Sequence, residues 1–221
     1  MLGKLINLIF PPKCIFCRKL LDVTAEMEIC NDCFRQIHLF SENSRVKNTS
    51  SFCDEIVCVS EYSGIIKEAL KRYKFNGKPS YCRAFSKLLI KKVKIMTNCR
   101  KFDIIVSVPL HKSRETVRGY NQALLISKIV SKATGIREES GVLKRVRETS
   151  AQSLISSRHG RLNNIKDAFK VTQPHKLAGK SIILIDDILT TGHTVDECSR
   201  ALKEAGALWV TAAVIASGRK Y

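Results

Sequence analysis

The stretch SIILIDDILTTGHT, residues 181–194, decides the fold because it joins an apolar run, two acids and a Thr/Gly turn. A run that is apolar at every position from Ile182 to Ile185 is typical of a parallel strand buried on both faces. Asp186 and Asp187 are then predicted at the carboxyl end of that strand, where α/β sheets bind their ligands. The sequence therefore predicts an α/β fold built on a parallel sheet.

A helix is predicted directly after this turn, over residues 195–205, because Thr194 and Glu197 match the Thr-x-x-Glu capping box. The backbone amides at such a helix N-terminus can bind a phosphate dianion, and Gly192 permits its close approach. Two carboxylates beside a phosphate suit sugar hydroxyls or hydrated Mg²⁺, so the combination favours a ribose 5-phosphate. The alternative is a plain buried strand followed by an ordinary capped helix.

Other segments supply the rest of an α/β architecture. The apolar stretches 103–109, 168–171 and 208–216 are predicted as strands, and residues 121–134 as a helix. The alternation of strands and helices indicates a parallel sheet flanked by helices.

The net charge of +18 is concentrated in the middle of the chain. Residues 1–60 carry 7 basic and 7 acidic side chains, residues 61–180 carry 27 and 8, and residues 181–221 carry 4 and 5. Between Lys67 and Lys101 there are 12 basic residues and a single acid. Such a density indicates a polyanionic partner such as nucleic acid, and a solvated, solubilising face is the alternative.

Helical spacing arranges this charge in two basic stripes, each beside a separate apolar face. One predicted helix places Ile66, Ala69, Leu70 and Tyr73 on its apolar face, and the other Phe85, Leu88, Leu89 and Val93. Aromatic residues between the basic ones, on which bases can stack, are Tyr62, Tyr73, Phe75 and Tyr81, with core packing as the alternative reading for Tyr73. The predicted DNA contacts are Lys67, Lys71, Lys74, Arg83, Lys87 and Lys91.

Two CxxC pairs near the N-terminus predict a metal site. Cys14 and Cys17 are followed, after 12 residues, by Cys30 and Cys33. Four thiolates complete the tetrahedral shell that structural zinc prefers, and they leave no open position for catalysis. The remaining cysteines lack such spacing and are predicted to pack in the core, and they are Cys53, Cys58, Cys82, Cys99 and Cys198.

No run of about 18 apolar residues is present, so the sequence predicts no transmembrane helix. The first 12 residues are predicted to form a short helix that ends at Pro11 and Pro12, without the features of a signal peptide. Nine cysteines, an odd number, favour a reducing compartment, and a cytoplasmic location is expected.

Residues 182–194 closely resemble the phosphoribosyl pyrophosphate signature of type I phosphoribosyltransferases, and the rest of the chain resembles the ComF family in that superfamily. The similar segments are LIFPPKCIFC, YSGIIKEALKRYKFNGK, VPLHKSRETVRGYNQA and RVRETSAQSLISSRHGRLNNIKDAF. The resemblance implies an N-terminal helix and zinc knuckle over residues 1–52, and a phosphoribosyltransferase-like domain over residues 53–221. Residues 53–101 are then a basic helical hood.

The resemblance also implies a ligand site. Asp186 and Asp187 would hold the ribose hydroxyls and are the predicted catalytic residues. The ribose-phosphate loop comprises Thr190, Thr191, Gly192, His193 and Thr194, of which His193 contributes only its backbone amide. The pyrophosphate and its Mg²⁺ are expected near His111, Lys112, Arg114 and Arg118, because guanidinium forks fit phosphate oxygens. The stretch from Arg145 to Arg161 is predicted as a mobile flap, with a disordered surface loop as the alternative.

Two functions remain open. One is a ComF-like protein of DNA uptake in natural transformation, which binds phosphoribosyl pyrophosphate with Mg²⁺ and single-stranded DNA and has other DNA-uptake proteins as candidate partners. The other is an active phosphoribosyltransferase that acts on a base or amine in nucleotide metabolism. The sequence shows no acceptor site, and whether the protein is an enzyme stays open.

Overall fold

A five-stranded parallel sheet forms the centre of the molecule. The computed structural model describes residues 11–41, 50–148 and 167–218. Within these residues each pair of neighbouring strands in the sheet is parallel. The predicted N-terminal helix and the predicted flap residues Arg158 and Arg161 lie outside the described part.

The strands and helices follow one another in the order of an α/β domain. The sheet comprises β1 (Glu55–Glu61), β2 (Ile104–Ser107), β3 (Arg137–Glu138), β6 (Ser181–Leu189) and β7 (Trp209–Ser217). Across the sheet the strands lie in the order β1-β7-β6-β2-β3. A separate antiparallel pair is formed by β4 (Leu143–Arg145) and β5 (Phe169–Val171). The α-helices of the described residues are α1 (Asn31–Arg35), α2 (Gly64–Phe75), α3 (Cys82–Cys99), α4 (Lys112–Arg118), α5 (Gln122–Thr134) and α6 (His193–Glu204).

Several predicted elements shift or change sheet. The strand predicted at 168–171 is β5, which pairs with β4 outside the parallel sheet, and β1 is not among the predicted strands. The helix predicted at 121–134 is confirmed as α5, whose N-cap Asn121 accepts a hydrogen bond from the Leu124 amide. The basic helix that precedes Gly77 ends at Phe75, where the chain turns.

Two apolar layers cover the two faces of the sheet. On one face, Ile183 and Ile215 pack with α2, α3 and α5. On the other, Leu184 and Val214 pack with α6 and the β4–β5 pair. The predicted apolar faces of α2 and α3 are buried, and Tyr73 and Phe85 are fully buried neighbours with ring centroids 5.5 Å apart.

The N-terminal cysteine region packs into the first of these layers. Ile15, Phe16, Ile29 and Ile37 belong to the same buried cluster as α2 and α3. Its end pairs with the free edge of β1, where the Phe40 amide donates to the Val59 carbonyl at 3.0 Å. The core is therefore shared between this region and the sheet.

The remaining cysteines differ in burial. Cys53, Cys58 and Cys198 are buried, as predicted. Cys82 is half-buried at the start of α3, and the core prediction for Cys99 is wrong because its side chain is exposed at the end of that helix.

Candidate functional site

The acid pair, Asp186 and Asp187, lies inside β6 and not after it. The ladder with β7 continues past them, with Asp186 opposite Val214 and Leu189 opposite Ser217, so the strand extends beyond the carboxyl end that the sequence predicts at the acid pair. Because successive side chains of a strand point to opposite faces, the two carboxylates leave the sheet on different sides. Asp187 is only 4% exposed, whereas Asp186 is half-buried.

A lysine from α2 neutralises the buried acid. The Nζ of Lys74 lies 2.8 Å from Oδ1 of Asp187, and the lysine side chain is 23% exposed. The sequence placed Lys74 on the open basic stripe, whereas in the structure its ammonium is paired with Asp187; its role as a DNA contact stays a prediction. A buried carboxylate requires such a partner, since an unpaired charge is costly away from water.

The environment of Asp186 favours its protonated form. Burial raises the pKa of Asp186 to about 7, and the neighbouring charge of Asp187 acts in the same direction. The positive charge of Lys74 and a hydrogen bond from the Asp187 amide, 2.8 Å from Oδ1, oppose this shift without cancelling it. Near neutral pH, Asp186 can therefore bind a cation when ionised or donate a hydrogen bond when protonated.

The Thr/Gly turn begins its helix earlier than the sequence predicts. Gly192 is the N-cap in a left-handed conformation with φ 80°, and α6 starts at His193. Thr194 therefore lies in the first turn, so the predicted capping box is wrong, and Glu197 instead contacts Arg200 at 3.0 Å. The hydroxyl of Thr191 lies 3.2 Å from Nδ1 of His193 within the turn.

The space inside this turn is small. A cavity of about 10 Å³ is lined by residues that include Asp186, Thr190, Gly192 and Thr194. That volume suits roughly one water molecule. A sugar phosphate would therefore need the turn to open or would lie above it.

The segment that is predicted to bind pyrophosphate forms the short helix α4, which follows the carboxyl end of the neighbouring strand β2. His111 is the N-cap of α4, and its Nδ1 lies 2.9 Å from the Ser113 hydroxyl. The Arg118 guanidinium donates to Oε1 of Gln122 at 2.7 Å and stacks 5.1 Å from the Phe75 ring centroid. Burial lowers the pKa of Arg118, the nearby charge of Arg114 adds to this, and the charge of Asp187 opposes it.

Arg145 joins this group although the sequence assigned it to a flap. It is the last residue of β4, with its guanidinium 5.3 Å from the Phe169 ring centroid. Burial lowers the pKa of Arg145, as does the charge of Arg114, whereas Asp186 raises it. No local motif links Arg145 or Lys74 to the acid pair, because both come from elements that are distant from it in sequence.

The basic surface, defined as Lys67, Lys71, Arg83, Lys87 and Lys91, lies on α2 and α3. All of these side chains are exposed except Lys87, which is half-buried. Lys71 pairs with Glu68 at 2.9 Å and Arg83 with Glu28 at 2.6 Å.

Most of the aromatic residues interleaved with this charge are not available for stacking. Tyr73 and Tyr81 are buried, which confirms the core reading of Tyr73, and Tyr62 is half-buried. Phe75 is 72% exposed, beside Lys74 and under Arg118.

The four N-terminal cysteines converge. The sulfur atoms of Cys14, Cys17, Cys30 and Cys33 all lie within 4.8 Å of one another, and those of Cys17 and Cys30 are 3.7 Å apart. Tetrahedral zinc with bonds of about 2.3 Å requires sulfur atoms roughly 3.8 Å apart, so the donor set fits Zn²⁺. Burial would raise the pKa of Cys14, but hydrogen bonds from the backbone of Cys30, Cys17 and Phe16 lower it to about 7.

A larger cavity lies at the opposite end of the sheet. It has a volume of about 360 Å³ and is lined by the last residues of α3, the segment up to Phe102, Thr134 and Ile136. These residues precede β2 and β3, so the cavity is remote from the acid pair at the carboxyl ends. No helix in residues 11–41, 50–148 or 167–218 combines the length and apolar character needed to cross a bilayer.

Comparisons with known proteins match two separate parts of the chain to two families. Residues 100–221 match the phosphoribosyl transferase domain family, and residues 5–55 match the double zinc ribbon domain family. Competence protein F of Haemophilus influenzae is 28% identical over 88% of this chain and 92% of its own length. DNA utilization protein YhgH of Escherichia coli K12 is 32% identical over 69% of this chain and 67% of its own. Competence protein ComFC of Bacillus subtilis is 29% identical over 87% and 78%.

Proposed function

The chain belongs to the ComF family of phosphoribosyltransferase-fold proteins with an N-terminal zinc ribbon, and from this premise we propose that it acts in DNA uptake during natural transformation. The names of its relatives, competence protein and DNA utilization protein, support that role. Its ligands are phosphoribosyl pyrophosphate with Mg²⁺ at the acid pair and single-stranded DNA on the basic surface. Other DNA-uptake proteins are its expected partners, and its thiolate zinc site supports a cytoplasmic location.

One observation carries the ligand proposal: the acid pair contacts one cationic side chain and acts electrostatically on two others, and the three come from separate elements. Lys74 contacts Asp187 at 2.8 Å, Arg118 is influenced by the charge of Asp187, and Arg145 by that of Asp186. A ligand that presents hydroxyls to carboxylates and phosphates to guanidinium groups matches this arrangement. Phosphoribosyl pyrophosphate is such a ligand.

In this proposal each group has a defined task. Asp186 and Asp187 accept hydrogen bonds from the ribose hydroxyls, and the amides of residues 191–194 hold the 5′-phosphate. Arg114 and Arg118, with His111 and Lys112 at the start of the same helix, bind the pyrophosphate. Carboxylate oxygens are hard ligands that suit Mg²⁺, and the ion would neutralise charge on the pyrophosphate. These residues would orient the sugar and stabilise a departing pyrophosphate if an acceptor were supplied.

The basic surface is the proposed DNA site. Binding of single strands without sequence preference depends on Lys and Arg contacts to the backbone and on base stacking. Lys67, Lys71, Lys87 and Lys91 supply the charge, Arg83 adds a guanidinium, and Phe75 is an exposed ring at the end of α2. Lys74 is assigned to the acid pair instead.

The decisive experiment replaces Asp186 and Asp187 by Asn together. We expect calorimetry to show binding of phosphoribosyl pyrophosphate with Mg²⁺ to the natural protein and none to the variant. Affinity for a single-stranded oligonucleotide should stay within about twofold, because the acids are not part of the basic surface.

A matched control is Asp167→Asn, since Asp167 is an exposed carboxylate that pairs with Arg200 at the outer side of α6. It should leave both affinities unchanged. Equal loss of both ligands in the double variant would contradict the two-site proposal. A screen of bases and amines for pyrophosphate release then decides between binding alone and the alternative, a phosphoribosyltransferase of nucleotide metabolism.

A further inference from the structure

The last turn of α2 contacts three separate parts of the molecule through three consecutive residues. The first, Arg72, contacts the zinc ribbon: its Nη2 donates to the carbonyl of Ile15 at 2.9 Å and lies 3.2 Å from that of Phe16. These two residues lie between Cys14 and Cys17, so the guanidinium binds the carbonyls of the first CxxC turn itself. Arg72 therefore binds the two residues that are adjacent in sequence to Cys14 and Cys17.

The next residue ties the same turn to α5. The hydroxyl of Tyr73 donates to the Gln122 carbonyl at 2.9 Å, and Tyr120 donates its hydroxyl to the Tyr73 carbonyl. Tyr73 is fully buried. These bonds attach the middle residue of this turn to the segment that follows α4, whereas the residues on either side of Tyr73 have other partners.

The third residue, Lys74, reaches the acid pair. Its ammonium lies 2.8 Å from Asp187, whose side chain is 6% exposed. The lysine side chain is long and flexible, so its ammonium stays at the carboxylate only while the backbone of α2 stays in place. A displacement of the helix end by an ångström or two would break the contact, since charge-assisted bonds lose strength steeply beyond about 3 Å.

We propose that Arg72 is a positioning residue through which the metal-bound first CxxC turn holds Lys74 at Asp187. A zinc ion held by the four thiolates would fix the Cys14–Cys17 turn, whose carbonyls bind Arg72, and Arg72 in turn holds the end of α2. Without metal the four thiolates lose their common ligand and the turn loses its cross-link. The state of the zinc site is in this way communicated to the acid pair.

The geometry of this coupling is independent of any ligand; it rests on the proposed function only in regarding the acid pair as a ligand site. Its consequence for that site is regulatory. Release of Lys74 leaves the buried carboxylate of Asp187 without its cation, and an unpaired charge is costly away from water. Loss of zinc should therefore weaken a ligand that needs both carboxylates.

The test is lysine footprinting, in which an acylating reagent labels accessible amines and mass spectrometry reads each lysine. In the zinc-loaded protein Lys74 should react slowly, because its amine is paired and mostly covered. After removal of zinc with a strong chelator, its labelling rate should rise at least about threefold, as expected for a locally released contact.

Two lysines in the same sample are internal controls. Lys67 is exposed on α2 and should label equally fast with and without zinc. Lys92 is buried on α3, where its ammonium contacts the Phe40 carbonyl at 3.0 Å, and it should stay protected. Unchanged labelling of Lys74 after verified zinc release would overturn the proposal, and so would simultaneous exposure of Lys92, because zinc would then hold the whole domain and not this turn.

Variants test whether Arg72 connects the first CxxC turn to Lys74. Arg72→Met in the zinc-loaded protein should raise Lys74 labelling to the level seen after chelation, and Arg72→Lys should do so in part, because an ammonium lacks the guanidinium fork. Arg83→Gln removes the other arginine contact to the zinc ribbon, at Glu28, and should leave Lys74 protected. An Arg72→Met protein that retains its zinc and still protects Lys74 would contradict the role of Arg72.

Calorimetry with phosphoribosyl pyrophosphate and Mg²⁺ separates this inference from the proposed function. If the zinc-loaded protein binds no ligand, the proposed function fails while the footprinting result stands. If it binds, removal of zinc should weaken binding several-fold in the natural protein and by less than about twofold in Lys74→Met, where the coupling is already broken. Equal weakening in both proteins would contradict the coupling.

Discussion

At the scale of single residues, the acid pair shows how two adjacent and identical side chains acquire different properties. Asp187 pairs with Lys74 of α2. Asp186 accepts a hydrogen bond from the Asp187 amide and interacts electrostatically with Arg145. Strand alternation alone sends the two carboxylates to different faces. The chemical difference between them therefore arises from what covers each face.

The raised pKa of Asp186 predicts a pH dependence of stability. Its pKa is about 7 in the folded protein against 3.8 for an ordinary aspartate, so between these values the folded state binds more protons than the unfolded state. Stability contributed by this group is therefore present at low pH and is lost as the pH rises from about 4 to about 7. Across that window the free energy of unfolding of Asp186→Asn should rise by about 2 kcal/mol relative to that of the natural protein. A pKa shift corresponds to about 1.36 kcal/mol per unit, and the expected difference is smaller than the full shift would give because Asp186 is partly exposed to solvent.

Urea unfolding of both proteins at several pH values measures this difference. As the pH rises, the free energy of unfolding of the natural protein should fall relative to that of Asp186→Asn. A difference that stays constant from pH 4 to pH 7.5 would show that the folded state does not perturb Asp186.

At the scale of elements, α2 and α3 combine a buried apolar face with a charged outer face. The two functions proposed for α2 occupy different parts of it: Lys67 and Lys71 are exposed along its length, and residues 72–74 at its end contact the rest of the protein. Glu68 and Glu28 partly neutralise the basic surface at Lys71 and Arg83. Exposed ion pairs of this kind are weak, so a polyanion can displace them.

The basic surface predicts a salt dependence of DNA binding. Replacement of Lys67, Lys71, Lys87 and Lys91 by Gln should reduce the slope of log affinity against log salt by up to about 3, since each single-strand phosphate contact contributes about 0.7. Fluorescence anisotropy with a labelled oligonucleotide at several salt concentrations measures the slope.

A matched control changes the same number of charges away from α2 and α3. Lys128, Lys132, Lys144 and Lys170 are all exposed, on α5 and on the β4–β5 pair. Their replacement by Gln should leave the slope nearly unchanged. If both quadruple variants flatten the slope equally, net charge and not the basic surface accounts for binding.

At the scale of the whole molecule, the zinc ribbon is part of the core. Its Ile15 and Phe16 belong to the same buried cluster as Tyr73 and Phe85, and Phe16 is 8% exposed. The domain boundary between residues 52 and 53 stays a prediction. Apolar residues on the two sides of this boundary pack in one buried cluster. Apolar packing in the ribbon is therefore expected to contribute to the stability of the sheet as well.

This shared core predicts that a substitution in the ribbon destabilises the entire protein. Phe16→Ala should lower the free energy of unfolding by about 3 kcal/mol, the usual cost of truncating a buried Phe. For a chain of this size the melting temperature should fall by roughly 6–12 °C, in a single transition. Phe52→Ala, at a position that is 38% exposed, is the control and should cost less than about 1 kcal/mol. A small early transition with an unchanged main one would indicate that the ribbon folds separately.

The sequence by itself determined the features whose cause is local: the zinc ligands by their spacing, the parallel sheet by the continuous apolar run before Asp186, and the buried faces of α2 and α3 by their periodicity. It misplaced the start of α6 and the end of β6, because pairing with β7 extends the strand through the two acids. Only the tertiary structure decided that Lys74 leaves the basic stripe for Asp187 and that Arg72 binds the CxxC turn. These partners are distant in sequence, and their distances depend on how the helices pack against the sheet, which no local pattern encodes.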